Sequence, residues 1–202
     1  MNKTLIILDW DDTLFPTSWV LKNNIDVNDT SILNDNGHLF DKLDLILYKL
    51  LHNCLKCGKV VIVTNAMVKW ITISSKMLPK TKKLINKHID IISARDIYQK
   101  KMPKKQFVWK KLIFEQLVIE HFMDKQYKVE NIISVGDADY EFQALIDLYE
   151  DFKMKKRILK AIKFLQGPDY ESLIDQLQVL NKSIFKVCNS KNHMDLKFKD
   201  LN

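Results

Sequence analysis

Cysteine and arginine are both scarce in this chain. The first argues against a disulfide-stabilised protein, and the second does not favour recognition of nucleic acids. The 202 residues include three cysteines, Cys54, Cys57 and Cys188, which give no disulfide framework and fit a reducing compartment. Two of the 32 basic residues are arginine, although the formal net charge is +7. Arginine is the residue best suited to bidentate contacts with phosphates and bases. A nucleic-acid partner is therefore compatible with the charge but is not favoured.

Long apolar runs are missing as well. The run Leu5–Leu8 ends at Asp9, so it is too short for the core of a signal peptide and far too short to span a bilayer. The chain also has no internal repeat, low-complexity segment or linker. We therefore expect one domain over residues 1–202 that is cytoplasmic and has no membrane partner.

Short apolar runs that alternate with helical patterns make up most of the sequence. The apolar runs predict strands at residues 4–8, 60–63, 89–92, 132–135 and 159–165. Apolar residues at helical spacing predict helices at residues 41–57, 68–77, 80–87, 104–122, 140–151 and 170–180. This alternation is typical of an α/β fold, a three-layer α/β/α sandwich with a mainly parallel sheet. Residues 15–40 are expected to form a short flap-like insertion, and residues 182–202 a loose C-terminal tail.

Polar residues follow three of the predicted strands. In chain order they are Asp9, Asp11 and Asp12; Thr64 and Asn65; and Asp137, Asp139 and Glu141. Sites in parallel sheets lie at the carboxyl ends of strands, so these groups are expected to converge on one edge. Crowded carboxylates repel each other and resist desolvation. A fold keeps them together mainly where a cation neutralises them or a reaction uses them.

Asp9 and Asp11 have the spacing of a nucleophile and a proton donor. Side chains two residues apart leave an extended segment on the same side. One carboxylate can attack an electrophile such as phosphorus while the other gives and takes a proton. The first strand therefore predicts a pair of catalytic carboxylates.

The second and fourth strands supply the remaining polar groups of this predicted site. Asp137, supported by either Asp139 or Glu141, completes an all-oxygen site that suits Mg²⁺. Thr64 and Asn65 add donors that can hold phosphate oxygens at a strand-to-helix turn. We therefore expect these two residues to bind substrate.

A cation is also needed to balance the charge that develops during the reaction. Lys110 falls in phase with the apolar stripe of the helix predicted from residue 104, and an inward-pointing lysine is unusual. Lys104 lies at the start of the same helix. Either lysine remains a candidate from the sequence.

These motifs have a familiar arrangement. Asp9-Trp10-Asp11-Asp12-Thr13 after an apolar strand resembles the first motif of the haloacid dehalogenase superfamily. Residues 60–65 resemble its second motif, and residues 132–141 resemble its fourth, the acidic metal motif. A lysine such as Lys110 or Lys104 would be the third. The order and spacing agree over most of residues 4–165.

The resemblance implies a role for each matching position. Asp9 would be the nucleophile, and Asp11 the general acid and base, with its backbone carbonyl on magnesium. The implied metal set is Asp9, Asp11 and Asp137, and Thr64 would bind the phosphoryl group. In this superfamily, an aspartate two residues after the nucleophile marks phosphatases and phosphotransferases. We therefore expect a Mg²⁺-dependent phosphatase that hydrolyses phosphate monoesters through an aspartyl-phosphate on Asp9.

Two features of the chain qualify this expectation. Position 12 is commonly glycine in the superfamily and is Asp12 here. Aspartate is among the better substitutes in left-handed backbone, so we expect the turn to form. No segment of the size of a cap domain separates the motifs. The site is therefore expected to be open and to suit a bulky or macromolecular phosphorylated substrate.

Other interpretations remain. The chain could be an inactive protein of the same fold that holds a partner through its basic rim, residues 100–111, or a phosphatase of nucleic-acid ends. A solvated surface also explains that rim. Cys54 and Cys57 have the spacing of a redox or zinc pair, but the chain has no second pair and Cys54 lies on an apolar stripe. The cysteines are therefore expected to pack in the core.

Overall fold

The computed structural model describes residues 4–29, 33–123, 130–150 and 157–199. Its strands are β1 (Thr4–Leu8), β2 (Lys59–Thr64), β3 (Asp90–Ser93), β4 (Asn131–Gly136), β5 (Ile158–Lys163) and β6 (Met194–Lys197). Its helices are α1 (Thr17–Lys22), α2 (Leu33–Cys57), α3 (Val68–Ser74), α4 (Pro79–His88), α5 (Ala94–Tyr98), α6 (Gln106–Met123), α7 (Asp139–Glu150) and α8 (Tyr170–Asn189). A 3₁₀ turn joins α3 to α4. Residue 151, the predicted end of one helix, lies outside the described residues, as do residues 30–32 and 200–202.

All six strands pair in parallel, in the order β3-β2-β1-β4-β5-β6. The predicted three-layer α/β/α sandwich is therefore confirmed. The chain moves outward from β1 through β2 to β3 and then returns to the other side of β1 to form β4. In such sheets, ligands bind in the crevice outside the carboxyl ends of the two strands where the direction reverses. Here those two strands are β1 and β4.

Alternating side chains of the strands feed two separate cores. One face packs against α2 and α8 and contributes Ile6, Leu8, Val60, Ile62, Ile133, Val135 and Ile162. The opposite face packs against α6 and α7 and contributes Leu5, Ile7, Val61, Val63, Ile132, Leu159 and Ala161. Because both faces are covered, the central strands read as continuous apolar runs rather than as an alternating pattern. Cys54 is buried in the first core, as a packing residue would be.

The two segments predicted to be irregular contain regular structure. Within residues 15–40, α1 forms at Thr17–Lys22 and α2 begins at Leu33, eight residues before its predicted start. Residues 34–37, Asn-Asp-Asn-Gly, are weak helix formers. Packing of the following turns through Phe40 and Leu43 outweighs that propensity.

The predicted loose tail is wrong over residues 182–199. Helix α8 continues to Asn189 because Ile184 and Val187 extend its buried stripe. Strand β6 then pairs with β5 at the edge of the sheet. Its short sequence, Met-Asp-Leu-Lys, is mostly exposed, so it lacks the apolar run that identifies a buried strand. Among the described helices, none has both the length and the apolar character needed to cross a membrane.

Candidate active site

The carboxyl ends of β1 and β4 lie side by side and carry the central acidic residues. The backbone N–H of Asp9 donates to the carbonyl of Val135 at 2.9 Å, which extends the pairing of the two strands by one residue. Asp137 comes directly after Gly136, the last residue of β4. Asp9 and Asp137 therefore lie on either side of the position where the strand order predicts a crevice.

The turn after β1 is tight and depends on left-handed backbone at Asp12. Its φ is +51°, and its N–H donates to the carbonyl of Phe15 at 2.8 Å. The Asp12 carboxylate turns toward α1, where Oδ1 accepts from the backbone N–H of Ser18 at 2.7 Å and Oδ2 from the Ser18 hydroxyl. The turn therefore forms with aspartate at this position, as expected from the sequence.

Three buried carboxylates meet in the crevice. Asp9, Asp137 and Glu141 each place one oxygen within 4.8 Å of the others, and this is the one such group among the described residues. Glu141 joins the cluster because it lies in the first turn of α7 and points back over the end of β4. Its Oε2 accepts from the backbone N–H of Ala138 at 2.9 Å, an arrangement that also caps the helix.

The close approach of Glu141 requires glycine at position 136. A Cβ built on Gly136 would lie 2.8 Å from both Cγ and Oε2 of Glu141. Asp139, the other acidic residue considered from the sequence, does not join the cluster. Its side chain is 84% exposed and pairs with Lys163. Glu141 and not Asp139 therefore belongs to the cluster, because the first turn of α7 points the Glu141 side chain toward β4 and leaves Asp139 exposed.

Lys110 reaches the same cluster from α6. Its Nζ lies 2.8 Å from Asp9 Oδ1 and also contacts Glu141 Oε1, and the side chain is fully buried. Lys104 precedes α6 and is exposed. Of the two candidate lysines, the structure therefore brings Lys110 to the acidic residues.

Burial and charge act against each other at this cluster. Burial raises the pKa of Asp9 well above its ordinary value, while the charge of Lys110 opposes the rise. Burial likewise raises the pKa of Asp137 to about 7, and the charges of Glu141 and Asp12 add to this effect. Burial alone would lower the pKa of Lys110, but the charges of Asp9 and Glu141 outweigh it, so the pKa of Lys110 is raised. The single charge of Lys110 therefore does not compensate the three buried carboxylates.

A divalent cation would balance the remaining negative charge of this cluster. Three ionised carboxylates and one ammonium group sum to a charge of −2. Oδ1 of Asp9 is buried, and beyond its ion pair with Lys110 it has no partner among the described residues. Hard divalent cations prefer such carboxylate oxygens. Asp9, Asp137 and Glu141 can therefore hold a metal ion.

Asp11 lies beside this cluster and not in it. Its Oδ1 accepts two hydrogen bonds, from the Thr17 hydroxyl at 2.6 Å and from the indole N–H of Trp70 at 2.8 Å. The carboxylate group that could hold a metal ion therefore contains Glu141 beside the expected Asp9 and Asp137, and it does not contain the Asp11 carboxylate. The predicted use of the Asp11 backbone carbonyl stays a prediction.

Trp70 is the site residue that the sequence analysis missed. It lies in α3, next to the second strand, and also packs edge-on against Phe15 at a centroid separation of 5.9 Å. A tryptophan three residues inside a helix gives no signal of its own in the sequence. Its role becomes visible only because α3 begins at the carboxyl edge of the sheet, beside the turn that carries Asp11.

Thr64 and Asn65 lie at the same edge, at the end of β2. Thr64 is fully buried, and its Oγ1 accepts from the backbone N–H of Ala66 at 2.9 Å. The Asn65 carbonyl accepts from Arg95 Nε at 2.8 Å, while its side-chain Oδ1 is buried and has no partner among the described residues. Their position fits phosphate binding, which stays a prediction.

Compared with known proteins, the chain matches no family model, no curated protein and no solved structure.

Proposed function

We propose that this protein is a Mg²⁺-dependent phosphatase that hydrolyses phosphate monoesters through an aspartyl-phosphate formed on Asp9. The observation that supports this most is the contact of the buried Asp9 carboxylate with Lys110, beside Asp137 and Glu141. A structural ion pair needs one acid and one base. Three buried acids around one lysine leave an excess of negative charge at the carboxyl edge of the sheet, which is costly unless a cation and a reaction use it.

In the first half-reaction, an Asp9 oxygen attacks phosphorus and the ester P–O bond breaks. The leaving alkoxide takes a proton from Asp11. The two hydrogen bonds to Asp11 Oδ1 hold its carboxyl group in one orientation, and the other oxygen, Oδ2, would exchange this proton. The products are an acyl phosphate on Asp9 and a free alcohol.

In the second half-reaction, water attacks phosphorus while Asp11 takes its proton. The P–O bond to Asp9 breaks, which releases inorganic phosphate and restores both carboxyl groups. Lys110 Nζ lies 2.8 Å from Asp9, and its positive charge favours the ionised nucleophile in a site where burial favours the protonated acid. Thr64 and Asn65 orient the phosphoryl oxygens from the end of β2.

Asp9, Asp137 and Glu141 would hold the magnesium ion, which, when bound, supplies positive charge to the phosphoryl oxygens. An all-carboxylate set of hard oxygen donors favours Mg²⁺ over metals that prefer nitrogen or sulfur ligands. The further expectations that the protein is cytoplasmic and acts on a bulky or macromolecular phosphorylated substrate belong to the same proposal.

The test is turnover of a generic aryl phosphate with magnesium, followed by acid quenching and mass mapping of any phosphoryl adduct. Asp9→Asn should reduce turnover on the order of 10³-fold or more, because it removes the nucleophile. The adduct should map to Asp9 in the wild type.

Asp139→Asn is the matched control, since Asp139 begins α7 close in the chain to Asp137 and Glu141 but is exposed and outside the cluster. It should keep wild-type turnover. Folded Asp9→Asn protein with undiminished activity would refute the proposed mechanism. A wild-type protein with no turnover on any phosphate monoester, with or without magnesium, would favour an inactive binding protein.

A further inference from the structure

One flank of the molecule carries a concentrated positive charge that the proposed reaction does not use. Residues 66–89, which contain α3, the 3₁₀ turn and α4, include six lysines and no acidic residue. The six are Lys69, Lys76, Lys80, Lys82, Lys83 and Lys87. Their combined charge nearly equals the net charge of +7 for the whole chain. The positive charge is therefore concentrated in this flank and in the basic rim, residues 100–111, which also contains six lysines and no acidic residue.

These lysines face solvent without acidic partners. Five are exposed and Lys82 is half-buried, and none of the six forms an ion pair with a residue that the structure describes. Asp90, the next acidic residue along the chain, pairs instead with Lys59. Asp44 of α2 does contact this segment, but its carboxylate is buried and accepts from the backbone N–H groups of Lys80 and Thr81. The charge of the lysine side chains is thus left for an external anion.

The lysines are also arranged along one helix. Lys80, Lys83 and Lys87 are three and four residues apart, so they lie on one face of α4. They span about 10 Å along the helix axis. Phosphates of one strand of B-DNA follow each other every 3.4 Å or so along the duplex axis, so about three phosphates fit this length. Lys76, Lys82, Lys83 and Lys87 also line a groove of about 630 Å³.

The chemistry of the flank selects among anionic partners. Apart from Pro79, the exposed side chains of α4 are polar, so the helix offers no apolar anchor for a lipid surface. The flank contains no arginine, the residue that recognises a phosphopeptide or a base in a bidentate way. A row of lysine charges suits a polyanion with regularly spaced phosphates, bound through its backbone and not through its sequence.

We propose that the lysine face of α4 binds the phosphate backbone of a nucleic acid without sequence preference. The inference does not depend on the proposed phosphatase activity, because α4 runs from the 3₁₀ turn back toward the amino end of β3, away from the acidic cluster. Binding should be of the non-specific class, with a dissociation constant of about 10⁻⁶ to 10⁻⁴ M at physiological salt.

The test is fluorescence anisotropy with labelled single-stranded and double-stranded oligonucleotides of random sequence over a series of salt concentrations. The variant K80Q/K83Q/K87Q removes the three aligned charges and keeps good helix formers. On single strands it should reduce the slope of log K against log salt by about 2, since each phosphate contact contributes roughly 0.7. At 0.1 M salt the same loss corresponds to affinity lower on the order of 100-fold.

Two variants with matched changes locate the effect. K49Q/K182Q/K186Q removes the same charge from exposed lysines of α2 and α8 and should change binding little. K80R/K83R/K87R keeps the charge on α4 and should bind like the wild type. Equal weakening by the two glutamine variants would show that net charge alone acts and would overturn the proposal. So would binding of wild type to vesicles of anionic phospholipid with no binding to either oligonucleotide.

Discussion

Replacement of Asp137 by asparagine should make the metal-free protein more stable at alkaline pH. Asparagine has nearly the shape of a protonated aspartic acid, so it keeps the packing and removes the charge. Burial raises the pKa of Asp137 from an ordinary 3.8 to about 7, helped by Glu141 and Asp12. Between these two values the folded protein holds a proton that the unfolded chain has released. The stability of the wild type therefore falls as the pH rises through this range.

The size of the effect follows from the pKa difference. A pKa difference of about three units corresponds to about 4 kcal/mol of folding free energy. The wild type loses all of this stability above pH 7 but less than about 1 kcal/mol of it at pH 4. For a chain of this length, 1 kcal/mol shifts the melting temperature by about 2–4 °C. At pH 8 the asparagine variant should therefore melt roughly 10 °C above the metal-free wild type, and the two should nearly coincide at pH 4.

Thermal melts in a chelating buffer at several pH values measure this difference. Asp139→Asn makes the same change of charge at an exposed position and should leave the pH dependence unaltered. Added magnesium should reduce the difference at pH 8 to roughly a third, because binding at 100 times the dissociation constant stabilises the wild type by about 2.7 kcal/mol. A melting-temperature difference that is the same at pH 4 and pH 8 would refute the reasoning.

Three further substitutions test other parts of the site. Trp70→Phe removes the indole donor to Asp11 and should lower kcat about 10- to 100-fold at nearly constant KM, because the proton donor loses its orientation. Gly136→Ala places a Cβ 2.8 Å from the Glu141 side chain and should weaken magnesium binding, measured by calorimetry. Asp12→Ala should lower the free energy of unfolding by about 1–2 kcal/mol, measured in urea, because φ is +51° there.

Each of these has a matched comparison. Trp109→Phe also removes an indole N–H, but this N–H donates to the Met102 carbonyl and not to Asp11. It should not produce the selective loss of kcat that is expected for Trp70→Phe. A loss of stability with unchanged kcat for Trp70→Phe would show a role in packing alone. Asp12→Gly tolerates the left-handed backbone and should cost less than Asp12→Ala. Unchanged magnesium affinity of Gly136→Ala would mean that Glu141 does not bind the ion.

The architecture could be predicted from the sequence because the relevant signals are local. The apolar runs at β1, β2 and β4 are buried on both faces, so each is visible without knowledge of its neighbours. The edge strand β6 and the first turns of α2 gave no such signal. Their stability comes from pairing with β5 and from packing against the core, which are contacts between distant segments.

Asp9, Asp11, Thr64 and Asp137 could be named from the sequence because each lies at the end of a strand or within three residues after it, and parallel strands end at one edge. Glu141 and Lys110 were among several candidates, since a residue inside a helix reaches the site only at one rotational position. Trp70 was missed for the same reason.

The sequence by itself determined an α/β fold whose strands end in carboxylates, because strand burial and strand ends are written in neighbouring residues. The tertiary structure decided which side chains surround Asp9. Helix α6 turns Lys110 inward, Gly136 leaves room for Glu141, and α3 brings Trp70 to Asp11. The apolar stripe of α6 indicated that Lys110 points inward, but the residues that it contacts depend, as for Glu141 and Trp70, on how helices far apart in the chain are rotated and packed.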